Sequence, residues 1–182
     1  LSDNILFGGV KEMVREFAEG GYDCMLALSK VPDPNRFGVP IFGANGELMD
    51  VVEKPEIPPN DFAVTGIYLY GPKVFFEAFL QIEKSARGEY EISSIHSHFL
   101  KTKRKVGYKE ITGWWKDTGK VEDLLLANKL LLERGEAEVK VSPTSLVADN
   151  VKLIAPAMIG ENCRLENCVI GPNVTVGAGC TI

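Results

Sequence analysis

The chain has 182 residues, 45% of them hydrophobic and 25% charged, and a formal net charge of −5 at pH 7. That is the composition of a globular protein with one core, or one and part of a second. No apolar run reaches the roughly 18 to 20 residues of a membrane-spanning helix, no charged-then-apolar leader opens the chain, and the acidic balance offers no field that would gather nucleic acid. Two histidines are too few for a His-built metal site. Cys24, Cys163, Cys168 and Cys180 contain no Cys-x-x-Cys pair, so a zinc site is not expected. Cys24 lies in an apolar run and reads as a buried thiol, which fits a reducing, cytoplasmic setting. The chain opens on Leu1 and stops at Ile182 inside a repeat, and it reads as a piece of something longer.

In chain order, Val10, Met13, Val14 and Phe17 form a one-faced stripe at helical spacing, closed by Gly20-Gly21. Residues 22–31 read as a buried strand, followed by a turn at Asp33-Pro34-Asn35. Two strands, 39–42 and 48–52, flank an Asn45-Gly46 turn and predict a hairpin. Residues 63–70 are a further β-rich run, after which Gly71-Pro72 opens a helix with Phe75, Ala78, Phe79 and Ile82 on one face. Another helix carries Ile92, Ile95, His96, Phe99 and Leu100, which makes His96 a core residue, and it ends in the solvated basic run 101–105. A strand over 106–111 and a Leu-rich helix over 121–134, closed by Gly135, complete an alternation of strands and helices that predicts an α/β domain.

From Val147 the rhythm changes. Large aliphatics recur six apart at Val147, Leu153, Ile159 and Leu165, then after one step of five at Ile170, and again at Val176 and Ile182. Four residues after each of the first six stands a smaller apolar side chain: Val151, Ala157, Cys163, Val169, Val174 and Cys180. So short a period excludes a helical array and predicts the hexapeptide repeat of a parallel β-helix, about two turns long, with both series filling the interior. Cys163 and Cys180 then become packing residues, and Cys168 falls one position before its slot.

Four polar segments interrupt the apolar framework: Ser2-Asp3-Asn4, Glu53-Lys54-Pro55, residues 85–89 (Ser-Ala-Arg-Gly-Glu), and residues 115–119 (Trp-Lys-Asp-Thr-Gly). Each ends an apolar run, where an open α/β sheet places its ligand crevice. Several carboxylates with a Lys and an Arg suit an anionic substrate bridged by a hard cation such as Mg²⁺.

With Arg36-Phe37-Gly38-Val39 and residues 63–68 (Ala-Val-Thr-Gly-Ile-Tyr) between them, these segments follow an order that closely resembles the sugar-1-phosphate nucleotidyltransferase family. The resemblance covers residues 1 to about 134 and is nearest to the glucose-1-phosphate thymidylyltransferase type, in its long form with a hexapeptide tail. It implies the C-terminal part of a Rossmann-like, glycosyltransferase-A-like α/β domain over residues 1–138, then a left-handed parallel β-helix over 139–182. It also implies that Asp3 and Asp117 hold Mg²⁺, that Lys54 and Arg87 grip the phosphate of a sugar 1-phosphate, and that Glu53 accepts from sugar hydroxyls. Phe37, Gly38, Val64, Gly66 and Tyr68 would line the sugar pocket, with Glu89 and Trp115 in support. The implied partners are a nucleoside triphosphate (dTTP or UTP), a hexose 1-phosphate (glucose 1-phosphate) and further copies of the chain, with no nucleic acid and no membrane. Ser2 stands where the family has Gly. The family's Gly-rich triphosphate loop has no counterpart in these 182 residues, so the chain by itself is expected to be inactive.

Two other readings compete. The repeat could serve an amino-sugar acyltransferase, but such sites usually need a His base and no His follows His98. The chain could instead be a non-catalytic assembly subunit, a reading that loss of Asp3 or Asp117 would have favoured; both are present.

Overall fold

A computed structural model describes residues 4–135 and 137–182, so Asp3 lies outside the described residues. The chain divides into two compact units, residues 1–117 and 118–182.

The first unit is built on a five-stranded sheet. Its strands are β2 (Cys24–Lys30), β3 (Gly38–Phe42), β4 (Leu48–Glu53), β5 (Phe62–Tyr70) and β6 (Val106–Glu110), in the order β4-β3-β5-β2-β6. The predicted α/β class holds, but the sheet is mixed: β2 runs parallel to β6, whereas β2–β5, β3–β5 and β3–β4 are antiparallel. The tight turn between β3 and β4 sets that pair antiparallel, because a parallel pair needs a longer crossover connection.

Strand β2 is buried from Cys24 to Ser29 because both faces are covered. Cys24, Leu26 and Leu28 enter one cluster with Ile95 and Phe99 of α3 (Ile92–Lys101) and Ala78 of α2 (Val74–Phe79). Met25 and Ala27 enter another with Met13 of α1 (Lys11–Gly20). A strand covered twice carries a continuous apolar run instead of an alternating one. Helix α1 ends where Gly21 takes a left-handed conformation, φ 61°.

Helix α2 is shorter than its apolar spacing predicts. It stops at Phe79, Ile82 lies beyond it, and Phe76 is 71% exposed. Two strands have no forecast in the sequence. These are β1 (Asn4–Phe7) and β7 (Trp114–Asp117), which pair antiparallel with Asn4 opposite Asp117 and Phe7 opposite Trp114.

The second unit holds α4 (Val121–Arg134) and seven short strands: β8 (Val139–Val141), β9 (Leu146–Val147), β10 (Lys152–Leu153), β11 (Ala157–Ile159), β12 (Arg164–Leu165), β13 (Val169–Ile170) and β14 (Val174–Val176). They form three parallel ladders, β8-β11-β14, β9-β12 and β10-β13, which the chain visits in rotation. Partners lie 18 residues apart in Val139–Ala157 and Leu146–Arg164, and 17 apart in Ala157–Val174 and Lys152–Val169. This is the spacing of three hexads, less one residue where the repeat takes its step of five.

Ile159, Cys163, Leu165, Ile170 and Val176 form the buried interior of the stack. One predicted slot is corrected: Cys168, not Val169, packs against this interior, and Val169 is 64% exposed. The small residue and the aliphatic two positions after it lie on one extended segment and therefore face the same way. The slot is keyed to the aliphatic that follows, so a five-residue step moves it to Cys168.

Helix α4 belongs to this unit. The Asn128 side-chain amide donates to the Asn173 carbonyl at 3.0 Å, and the Thr175 hydroxyl donates to Asn128 Oδ1 at 2.7 Å. The compact units accordingly divide at 117/118, whereas the sequence places its domain boundary at 138/139.

Candidate functional site

In the first unit, the ends of β3, β4 and β5 and the β1–β7 pair surround a cleft of about 230 Å³. It is lined by Phe37, Gly38, Glu53, Lys54, Val64, Gly66, Tyr68, Trp115 and Asp117, together with Asn4, Arg36 and Ile92. The sequence-predicted residues are thus largely gathered in one place. Arg87 and Glu89 flank the cleft without lining it, and Asp3 is outside the described residues.

The strand registers explain the gathering. Gly38 is paired with Glu53 on one side and Val64 on the other, so its missing side chain leaves the cleft open between them. Successive side chains of a strand point to opposite faces, yet Glu53 and Lys54 both line the cleft. Lys54 achieves this with φ 45°, a left-handed conformation that costs a side-chain-bearing residue of order 1–3 kcal/mol. Its N–H is held by the Phe37 carbonyl at 2.9 Å.

On the opposite wall, Trp115 and Asp117 stand two apart on β7 and share a face. Trp115 Nε1 donates to Asn4 Oδ1 at 2.6 Å, and its ring meets Phe37 edge-on at 5.2 Å. A Cβ at Gly66 would come within 2.8 Å of Asn4 Nδ2, so only glycine leaves room for that amide.

Charge is concentrated at the rim. Lys54 Nζ lies 3.7 Å from Glu53 Oε1, and Arg87 Nη2 lies 3.9 Å from the same oxygen. Arg87 is also paired with Glu89 at 3.2 Å and Glu91 at 2.7 Å. Burial raises the Glu91 carboxyl, but hydrogen bonds from Arg87 and Ser85 outweigh it and leave the group below its usual range. Glu91 lies two residues beyond the polar segment 85–89, and nothing in the sequence marks its side chain as part of the site. Asn4 and Arg36 lie inside segments singled out in the sequence and Ile92 on the apolar face of α3, yet no pattern marks any of the three as a cleft residue.

In the cleft lining, burial with the nearby Glu53 and Cys24 pushes the Tyr68 hydroxyl up to about 12, so it stays a neutral donor. The ring of Tyr68 packs on His96 at 5.0 Å. His96 is fully buried, its Nε2 bonded to the Tyr70 hydroxyl at 2.8 Å and its Nδ1 without a partner, so the expected core residue is only half satisfied. Burial lowers its pKa to about 3. The unfolded chain therefore binds a proton near pH 6.5 that the fold rejects, and this contribution to stability is whole above 6.5 and is lost as pH falls towards 3. Between pH 6.5 and 5 the loss is expected to be about 2 kcal/mol, and His96→Gln should flatten that part of a urea-midpoint profile. An unchanged slope would show that His96 does not control it.

A second cavity, of about 290 Å³, lies among Leu6, Met13, Ala27 and Ile111. It is mostly apolar, and its Lys109 is tied to Glu16 at 2.8 Å, so it lacks the converging cations of the first cleft.

Residues 1–134 match the protein family described as nucleotidyl transferase. A glucose-1-phosphate thymidylyltransferase of Streptomyces griseus is 38% identical over 180 residues, 98% of this chain and 49% of that protein. A low-salt glycan biosynthesis nucleotidyltransferase of Haloferax volcanii is 41% identical over 133 residues, 73% of this chain and 37% of that protein. Among solved structures, a Bacillus anthracis protein provisionally identified as a glucose-1-phosphate thymidylyltransferase, in complex with a sucrose, aligns with TM-score 0.64 and 39% identity. That alignment covers 71% of this chain and 52% of the other. The chain spans about half the length of the curated relatives it matches.

Proposed function

From the premise that the chain belongs to the nucleotidyl transferase family, we propose that its cleft binds a hexose 1-phosphate, with glucose 1-phosphate the first candidate. The whole protein then joins this sugar to the nucleoside monophosphate of a triphosphate, dTTP or UTP. A phosphate oxygen of the sugar attacks the α-phosphorus in line, the new P–O bond forms, the α–β bridge breaks, and pyrophosphate leaves. The observation that carries this reading is the convergence of Lys54 and Arg87 on Glu53 at the mouth of a cleft lined by Phe37, Tyr68 and Trp115.

Each residue has a part that follows from its chemistry. Lys54 acts as a point charge for the phosphate, and Arg87 can add a fork of two N–H donors. Glu53 and the Tyr68 hydroxyl, as acceptor and donor, suit sugar hydroxyls, and the close backbone at Gly38 leaves space for the ring. Trp115, held by Asn4, stiffens one wall, and Glu89 steadies Arg87. The chain's contribution is positioning and charge neutralisation, without a covalent nucleophile.

Mg²⁺ fits this donor set. Asp117 presents a hard-oxygen carboxylate on the cleft wall, and Mg²⁺ characteristically takes one or two carboxylates and fills its remaining positions with phosphate oxygens and water. Asp117 and Asp3 would hold it, and when bound it neutralises charge on the phosphate oxygens.

The proposal extends to the rest of the chain. The three ladders of residues 139–182 are read as the faces of a left-handed parallel β-helix built from hexapeptides, with the nucleotidyltransferase domain ending near 138. Support comes from their 17- and 18-residue spacing. Such a helix suits assembly into a homo-oligomer, and four free thiols suit a reducing cytoplasm. No helix among the described residues is long and apolar enough to cross a membrane.

The test is pyrophosphate release by the whole protein. It is expected only when a nucleoside triphosphate, a hexose 1-phosphate and Mg²⁺ are all supplied. Release that ignores the sugar phosphate, or none with any hexose 1-phosphate, would overturn the reading.

A further inference from the structure

Arg87 reaches the cleft mouth from outside the sheet. It stands on the turn 85–88, where the Gly88 N–H bonds the Ser85 carbonyl at 2.8 Å and the Ser85 N–H bonds the Glu89 carbonyl at 2.8 Å. A long side chain on such a turn would ordinarily be spread over many rotamers, and ordering it on a ligand would cost of order 1 kcal/mol or more. Here it is already ordered. Its Nε and Nη2 donate to one oxygen of Glu91, at 3.1 and 2.7 Å, and Ser85 Oγ donates to the same oxygen at 3.0 Å.

Glu91 is itself fixed. It is buried, and it stands at the N-terminal cap of α3, where its carbonyl accepts from the Ser94 N–H at 3.1 Å. The carboxylate thus links the rigid start of a core helix to the guanidinium at the cleft mouth. Nη2 also donates to Glu89 at 3.2 Å, and Nη1 has no bond among the described residues, so the guanidinium is gripped on one side while its Nη1 end stays open.

We propose that Glu91 is the positioning residue for Arg87, holding the guanidinium by Nε and Nη2 so that its open edge meets the phosphate of the sugar substrate already oriented. This rests on the reading that the cleft takes a hexose 1-phosphate. It goes against simple electrostatics: an added carboxylate beside an anion site should weaken anion binding, and removing it should help. If orientation dominates, removing it hurts.

The two signs make the experiment decisive. Binding of glucose 1-phosphate and of unphosphorylated glucose to the whole protein is measured by titration calorimetry for wild type, Glu91→Gln, Arg87→Ala and the double variant. Glu91→Gln is expected to weaken glucose 1-phosphate binding about tenfold, the order of one charge-assisted hydrogen bond, and to leave glucose binding unchanged. In the Arg87→Ala background the same change should have no further effect, since its action runs through Arg87. Glu91→Asp, which keeps the charge on a shorter arm, should bind between wild type and Glu91→Gln, and it carries the test should the Gln variant not fold. Failure of wild type to bind glucose 1-phosphate would sink the reading of the cleft. Wild-type binding with unchanged or tighter binding by Glu91→Gln, or an equal loss with and without Arg87, would sink the positioning role alone.

Discussion

Asp117→Asn should lower kcat for pyrophosphate release by the whole protein by about 10²–10³-fold, the scale set by removing one preorganised electrostatic contact to a developing charge. The substitution is nearly isosteric, and Asp117 is paired through its backbone with Asn4, so the β1–β7 ribbon and the cleft wall are expected to stay folded. What is lost is an anionic hard-oxygen donor where phosphate charge would be neutralised. An amide oxygen binds Mg²⁺ more weakly, so raising the metal concentration should recover part of the rate. Binding of the sugar phosphate, carried in this reading by Lys54 and Arg87, should change much less than kcat. A variant with undiminished kcat would remove Asp117 from the mechanism.

Leu165→Ala should destabilise the second unit by about 2–5 kcal/mol, the range for emptying a closely packed site. Leu165 is fully buried, in a cluster with Ile159, Cys163, Ile170 and Val176. Stacked coils touch only their neighbours, so there is no distant core to absorb the vacancy. Amide hydrogen exchange should register the loss. Protection of the amides donating to Cys163, Leu165 and Cys180 (Leu146, Ala148 and Arg164) should fall about 10²-fold, while those of β2 and β5 keep theirs. Val169→Ala is the matched control: Val169 faces outward, and the effect should stay within about 0.5 kcal/mol. Equal effects at the two positions would refute the inward and outward assignment.

How much of this is legible in the residues depends on how local the cause is. The doubly covered strand β2 announces itself, because burial on both faces leaves no polar alternation to hide it. The hairpin at Asn45-Gly46 and the closure of α1 at Gly21 are set by turn chemistry within a few residues. The stacked ladders are visible because each coil repeats the same local demand.

By contrast, β1 and β7 are four residues each, one carries Lys116 and Asp117, and their partner lies more than a hundred residues away. No periodicity can reveal a pairing of that kind. The cleft motifs were recognisable as segments, yet the left-handed turn at Lys54, which turns both Glu53 and Lys54 to the same side, is a property of backbone geometry and leaves no pattern. Glu91 escaped for a related reason: its neighbour Glu89 has the same chemistry, and only burial distinguishes the anchor from the exposed partner.

The stepwise spacing of the ladders has a consequence for how this protein can change length. Neighbouring strands in a ladder lie about 4.8 Å apart, so a duplicated block of 17 or 18 residues would extend the stack by that one increment and leave every inward side chain facing inward. A single-residue deletion is absorbed at a corner, as the step from Leu165 to Ile170 demonstrates, whereas the same deletion inside a strand would turn the following apolar residues to solvent. The segment therefore behaves as a ruler, cut in units of one coil, whose reach can drift by gene duplication without redesign of its core.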